Sequence, residues 1–548
     1  YKSTAPQRGQ TEKDIQSDMS KTSDRNNKIE IFDSTLRDGA QGEGISYSVQ
    51  DKLNILRALD EFGVDLVEAG NPASNPKDAE FFRRAVALPL KTSRIVAFGS
   101  TRRRQFSPSD DPSLDSLLSA GCSAAAIFGK AHRLHAEKVL CVTPDENLEL
   151  VYSTLEYLRP RLELVIFDAE HFFDGYLYDR EYAMSVVKSA FDSGADRVVL
   201  CDTNGGRLPD EIREITRDIV TRFKGRDIGI HAHDDCGLAV ANTLAAVSVG
   251  ATQVQGTFTG VGERCGNCDL SVIIPNLTLK CNMVCGKKSP VKLPLLCETA
   301  RLIYDISNVA ANPNKPYTGK SAFAHKGGMH IDAMEKLEGA YEHIDPSLVG
   351  NKRRLLLSEV AGRSTIIEKT KSILPGLERT SPETALIMST LKELELEGYQ
   401  FEAADASFEL LTKRLLKQSK PHFRVVFYKV TDDFPSTDGK LQSGAMIQVE
   451  VDGRTETTAS LGNGPVNALD LALKRALTVF YPVLADVTLT DFKVRVIESN
   501  STTAAKVRVL IESTDKHRAW TTIGVSHDVI EASFNALCDA LEYKLNVE

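Results

Sequence analysis

Ile31-Phe-Asp-Ser-Thr-Leu-Arg-Asp-Gly-Ala-Gln-Gly-Glu-Gly44 sets an Arg beside an Asp where an apolar run breaks into a glycine-rich loop. A short apolar run bounded by turn residues reads as a buried strand, so Arg37 and Asp38 stand at its C-terminal end. Seven similar runs follow, at Val64–Val67, Ile95–Phe98, Ala124–Phe128, Leu162–Phe167, Arg197–Leu200, Ile228–Ile230 and Gln253–Phe258, with helical patterns between them. Between the first two, Ser48 and Asp51 form a capping box, Leu53, Leu56 and Leu59 a buried stripe, and Gly63 a stop. Eight such units predict an α/β protein built on a (β/α)8 TIM barrel, with a doubly wound sheet as the structural rival.

Working outward, residues 1–27 lack periodicity and read as a disordered leader, and residues 28–290 carry the barrel. Residues 291–420 turn helical, clearest at Leu295–Val309 and Pro382–Glu397, and read as helical linker subdomains. Residues 421–548 alternate as strands again and contain a weak repeat, a Thr-rich strand, a Gly and a long helix, at Thr457–Phe480 and Thr521–Leu545. They predict a C-terminal α+β domain of two βββα halves.

The chain has 548 residues, 42% hydrophobic and 26% charged, with a net charge of -9. That balance is ordinary for a globular enzyme; it argues against nucleic acid or an anionic membrane as partner, and no run reaches membrane-span length. Ten cysteines diluted over this length read as reduced core thiols in a cytoplasmic protein, with the mitochondrial matrix as the alternative.

A barrel projects its chemistry from the C-terminal strand ends. The first strand delivers Arg37 and Asp38, the fifth Asp168-Ala-Glu170-His171, the sixth Asp202-Thr203-Asn204, the seventh His231-Ala-His233, and the eighth Gly260-Val-Gly-Glu-Arg-Cys-Gly-Asn-Cys268. Alternation sends both imidazoles of the seventh to one side, where with Asp38 they make a metal site. A rival constellation, Cys265-x-x-Cys268 with Cys281-x-x-x-Cys285, has the spacing of structural zinc, but the apolar helix read at Leu270–Leu279 separates the pairs.

Asp-Ser-Thr-Leu-Arg-Asp-Gly, His-Ala-His-Asp-Asp and Gly-Val-Gly-Glu-Arg-Cys-Gly-Asn together resemble the Claisen-condensing acyltransferases, the family of 2-isopropylmalate, homocitrate and citramalate synthases. The resemblance covers nearly all the chain past the leader. Gly39-Ala-Gln-Gly-Glu-Gly-Ile-Ser46, Glu68-Ala-Gly-Asn-Pro72 and Asp168-Ala-Glu-His-Phe-Phe-Asp-Gly-Tyr176 are most similar to its citramalate-forming branch. This implies condensation of acetyl-CoA with pyruvate and thioester hydrolysis to (R)-citramalate and CoA. The alternatives are isopropylmalate or homocitrate synthesis, a metal-dependent lyase or aldolase on the same barrel, and a catalytically silent amino-acid sensor.

A 2-keto acid chelates one divalent ion, which polarises its ketone. Asp38, His231 and His233 leave positions open for it, and the resemblance adds Asn267 as a further ligand. The mixed donors suit Mn2+ or Zn2+, with Mg2+ possible. Arg37 is expected to donate to the ketone oxygen, Thr203 to hold the keto-acid carboxylate, and Glu170 to serve as acid or base. The resemblance further implies that His330 and Tyr341, beyond the barrel, reach the partner subunit's site in a homodimer. It also makes the C-terminal domain a regulatory one with isoleucine as effector, against the alternative of a domain that only dimerises. Gly462, Gly464, Gly524 and Ser526 precede its two long helices, whose N-terminal amides suit a carboxylate.

Overall fold

Strands β1 (Lys28–Asp33), β2 (Leu66–Glu68), β3 (Arg94–Ser100), β4 (Ala124–Lys130), β5 (Leu164–Glu170), β6 (Arg197–Asp202), β7 (Asp227–Ala232) and β8 (Gln253–Gly256) pair in parallel in sequence order. Strand β1 pairs with both β2 and β8, so the sheet closes on itself as a (β/α)8 barrel and the doubly wound rival is excluded. This computed structural model describes residues 27–325, 328–337, 339–355, 381–401, 404–419, 421–433, 442–497, 505–515 and 518–547. The leader expected over 1–27 lies, but for its last residue, outside them.

Alternate residues of the strands build two cores. Ile31, Val67, Ile95, Ala97, Ala125 and Ile127 pack outward on the helices, while Phe32, Leu66, Val96, Ala124, Ala126, Ile166 and Val199 fill the interior. Helix Val49–Phe62 begins at the expected capping box, and Gly63 ends it at φ 105°, the left-handed geometry that a side chain resists. Helix Leu296–Ser307 packs against it, and Tyr47 shares a 2.8 Å hydroxyl hydrogen bond with Ser307. The first compact unit therefore runs through Phe323 and takes in Ile344–Lys352, beyond the boundary expected at 290.

The second unit comprises Ala324–His343 and the chain from Arg353. It holds the two expected halves: β9 (Arg424–Asp433), β10 (Gln442–Val451) and β11 (Arg454–Gly462) before helix Pro465–Thr478, then β12 (Thr488–Val496), β13 (Val507–Thr514) and β14 (Ala519–Ser526) before helix Val529–Asn546. Both sheets are antiparallel, and one core joins Ile447, Val449, Leu473, Val509, Ile511 and Leu537. Helix Asp405–Leu415 packs on β14, where Ser407 Oγ accepts from Ile523 N at 3.0 Å and Phe408 shares an apolar cluster with Ile523. This unit thus starts before the boundary expected at 421.

No helix among the described residues is long and apolar enough to cross a membrane. All ten cysteines are free thiols, with Cys268 and Cys285 buried and Cys265 and Cys281 exposed. Among the described residues they form no metal cluster, so the structural-zinc alternative falls away.

Candidate active site and metal centre

The strand ends converge on one cavity of about 250 Å³, lined among others by Arg37, Asp38, Phe98, Phe128, Asp168, Glu170, Thr203, His231 and His233. Asp38 follows β1, and the alternation of β7 turns both His231 and His233 toward it. Asp38 Oδ2 lies 3.4 Å from His231 Nε2 and 4.0 Å from His233 Nε2, and the two Nε2 atoms are 3.4 Å apart. All three residues are buried, and one ligand atom from each falls within 4.8 Å of the others.

The buried donors fit a divalent cation. Asn267 is joined to His233 by a backbone bridge; its Nδ2 donates to Val261 O at 3.2 Å, while its Oδ1 is buried without a partner. An unpartnered side-chain carbonyl on the residue bridged to His233 is the kind of oxygen donor that a bound ion would satisfy. Burial opposes charge on Asp38, but the Arg37 guanidinium and the two imidazoles hold its carboxyl well below the usual range. Burial also opposes a proton on His231, and Asp38 outweighs it and raises that imidazole. His233 is pushed down to about 4 by burial and then by His231, which favours a free ligand nitrogen.

Arg37 is fixed on three sides. Its Nε lies 2.6 Å from Glu68 Oε2, its Nη1 3.1 Å from Asp38 Oδ2, and its guanidinium carbon 3.9 Å from the centre of the Phe98 ring. Phe98 stacks on Phe128 with centroids 5.2 Å apart. Glu170, at the end of β5, pairs with Lys130 Nζ at 2.5 Å. Asp168, two residues earlier, is raised to about 7 by burial and then by the nearby charge of Glu68. Thr203 Oγ1 accepts from His171 N at 2.8 Å, which leaves its hydroxyl proton for a ligand.

His330 and Tyr341 belong to the second unit. His330 lies exposed on helix Gly328–Lys336, and its ring stacks on half-exposed Tyr341 at 3.9 Å and 14°. Of the four residues expected to seat an effector, Gly464 is the N-cap of its helix, without a side-chain cap and with open space around it. Gly524 instead lies inside β14, where a Cβ would stand 1.9 Å from Ala532 O. Asp528 already accepts from Ile530 N at the start of the second helix, and Ser526 Oγ takes Asp528 N. Gly462 is similarly crowded, 2.5 Å from Ala468 N. A second feature of this unit is a cavity of about 850 Å³ lined by Lys429, Thr431, Met446, Ser460, Leu461, Leu471 and Arg475.

Glu68, Lys130, Phe98 and Phe128 were not expected at the site. An acid closing a strand (Glu68) and a Lys after Phe-Gly (Lys130) sit at strand ends as surely as Glu170 does, and that position was the available signal. The aromatic pair gave none, because a strand aromatic reads as core.

A closed barrel with Asp, His and His gathered on a glycine-bounded rim defines a barrel enzyme of the metal-binding type. The HMGL-like family matches residues 28–303, the homocitrate synthase post-HMGL domain-like family residues 317–398, and the LeuA allosteric (dimerisation) domain residues 402–545. The chain is 49% identical to the (R)-citramalate synthase of Aquifex aeolicus (strain VF5) and 46% identical to that of Geobacter sulfurreducens, each over 94% of this chain and 98% of the relative. It is 32% identical to a probable 2-isopropylmalate synthase of Methanopyrus kandleri, over 93% of this chain and 97% of the relative. The chain belongs to the HMGL-like family and, within it, to the (R)-citramalate synthase branch of the Claisen-condensing acyltransferases.

Proposed function

We propose that the protein condenses acetyl-CoA with pyruvate and hydrolyses the thioester to (R)-citramalate and CoA. The observation that carries this is the convergence, in one small cavity, of three metal-type ligands, a fixed guanidinium and a carboxylate. A divalent ion, Mn2+ or Zn2+ before Mg2+, would be held by Asp38, His231, His233 and Asn267 and would supply Lewis-acid polarisation of the ketone. Thr203 donates its free hydroxyl proton to the keto-acid carboxylate. Arg37, already locked in place, stabilises the charge that grows on the ketone oxygen without reorganising. Glu170 takes the proton from the acetyl methyl group, and Lys130 holds its carboxylate in place. The stacked Phe98 and Phe128 rings give the cavity an apolar wall against which a small keto-acid side chain would lie. Water then cleaves the thioester and makes the condensation irreversible.

The test is kcat/KM for pyruvate, 2-ketobutyrate, 2-ketoisovalerate and 2-ketoglutarate, read by release of free thiol. Pyruvate is expected to lead. Preference for either of the last two would replace the reading with isopropylmalate or homocitrate synthesis.

The active form is a homodimer in which His330 and Tyr341 serve the partner's cavity, and isoleucine binds the C-terminal unit as feedback inhibitor. The match to an allosteric (dimerisation) domain, the exposed His330–Tyr341 stack and the helix N-terminus at Gly464 that no side chain caps support this.

A further inference from the structure

A continuous file of buried polar side chains runs inside the barrel, where apolar layers are the rule. His231 Nδ1 lies 3.0 Å from Gln255 Oε1, and Gln255 Nε2 lies 3.2 Å from Asp168 Oδ1 and 3.4 Å from Gln253 Oε1. Gln253 Nε2 reaches Glu30 Oε2 at 2.6 Å, and Glu30 is paired with Arg197 at 2.8 Å. Every member is at most 9% exposed. Register explains the file: β8 lies between β1 and β7, with Gln253 opposite Glu30 and Gln255 opposite His231. Gly229 makes room for it, since a Cβ there would stand 3.0 Å from Gln253 Oε1.

The file has only one consistent direction. A guanidinium donates and cannot accept, and an ionised carboxylate accepts and cannot donate. Arg197 therefore commits Glu30 as acceptor, and Glu30 draws the amide NH2 of Gln253 toward itself. Gln253 then offers its oxygen to Gln255, whose NH2 faces that oxygen and Asp168. The remaining Gln255 oxygen must face His231, so Nδ1 carries a proton, and Nε2 is the nitrogen left to turn a lone pair to an ion held with Asp38 and His233. Reversing any amide would leave two donors or two acceptors face to face among buried groups.

We propose that Gln255 is the positioning residue that fixes the metal-binding tautomer of His231, and that the Glu30–Arg197 pair near the opposite end of the barrel sets its orientation through Gln253. The proposal rests on the metal reading of Asp38, His231 and His233.

Titration of the full-length, metal-stripped protein with Mn2+, followed by the spin-resonance signal of the free ion, tests it. Gln255→Leu should weaken Mn2+ about 10- to 100-fold, as losing such an outer partner of a ligand His does. Gln255→Met, which keeps the side-chain volume but offers Nδ1 no oxygen, should be weakened as much as Gln255→Leu. Equal affinity in Gln255→Leu overturns the proposal, and so does a Gln255→Met variant that binds like the unaltered protein, because packing alone would then be at work. Should Gln255→Leu not fold, the Zn2+-loaded unaltered protein labelled with 15N-imidazole histidine decides: a proton on Nδ1 of His231, assigned by its loss in His231→Ala, supports the proposal, and a proton on Nε2 overturns it. Failure of the unaltered protein to bind either ion overturns the metal reading and this inference together, an outcome distinct from binding that Gln255 leaves unchanged.

Discussion

Glu68 Oε2 stands 2.6 Å from Arg37 Nε, with the Glu68 side chain wholly withdrawn from solvent. The same oxygen accepts the Ser34 hydroxyl at 2.5 Å, so strand β2 and the turn after β1 hold the guanidinium between them. Burial opposes the charge on Arg37, yet Glu68 and Asp38 keep it protonated far above any working pH. Its direction, rather than its charge, is what the structure controls. Arg37→Lys keeps the charge and loses the planar fork, so kcat is expected to fall about 10²- to 10³-fold. Glu68→Gln should lower kcat with a smaller effect on KM for the keto acid. Steady-state kinetics of both variants check this, and near-normal kcat in Arg37→Lys would remove Arg37 from its role.

Glu170→Gln preserves shape and removes the proton acceptor. The expected loss is about 10²- to 10⁴-fold in kcat with KM for pyruvate little changed. Lys130→Met should cost less, because Glu170 remains but loses its fixed partner. A Glu170→Gln enzyme that kept most of its kcat would move the base elsewhere in the cavity.

His231→Ala or His233→Ala should abolish turnover while leaving the circular-dichroism spectrum of the fold intact, since each removes a ligand from a site that is otherwise buried and formed. Chelation should silence the unaltered enzyme, with Mn2+ or Zn2+ restoring it. Full activity after verified removal of metal would refute the metal centre.

The eight strands were legible because each is an apolar run bounded by turn residues, and the helix Val49–Phe62 because its capping box, stripe and terminal glycine are all local. Asp38, His231 and His233 were legible as strand-end residues, and the structure brings them together. Glu68, Lys130 and Gln255 were not singled out, because their meaning depends on which strand stands opposite, and register across a barrel is not written within any one strand. The same limit hid the place of helix Asp405–Leu415. Its apolar face fits a linker helix as well as it fits β14, and only the long-range contact of Ser407 with Ile523 decides.

The stacked His330 and Tyr341 lead to a complementation test. A Glu170→Gln subunit and a His330→Ala subunit should each be inactive, and a heterodimer of the two should recover part of the activity at the one site that receives both intact groups. Tagging each subunit differently and purifying on both tags ensures that the heterodimer is what is assayed. A purified heterodimer that stays inactive refutes the exchange between subunits.

Gly464 and Gly524 separate an effector seat from a packing contact. Gly524→Ala would press a methyl group into Ala532 O, so the C-terminal unit should lose about 1–3 kcal/mol, seen as a lower melting temperature. Gly464 has extended backbone and open space, so Gly464→Ala should change stability by about 0.5 kcal/mol or less. If the amides that follow Gly464 hold the carboxylate of isoleucine, Gly464→Ala should raise the inhibitor concentration needed for half-inhibition while leaving basal kcat unchanged. Cutting the chain between helices Pro382–Glu397 and Asp405–Leu415 removes the latter helix together with both βββα halves, and should abolish inhibition in any product that stays active, because an effector acts only through its differential binding to the domain that holds it. Inhibition by isoleucine that survives the cut would place the effector on the barrel unit, and unchanged half-inhibition in Gly464→Ala would move the seat away from that helix, toward the cavity between Lys429 and Arg475.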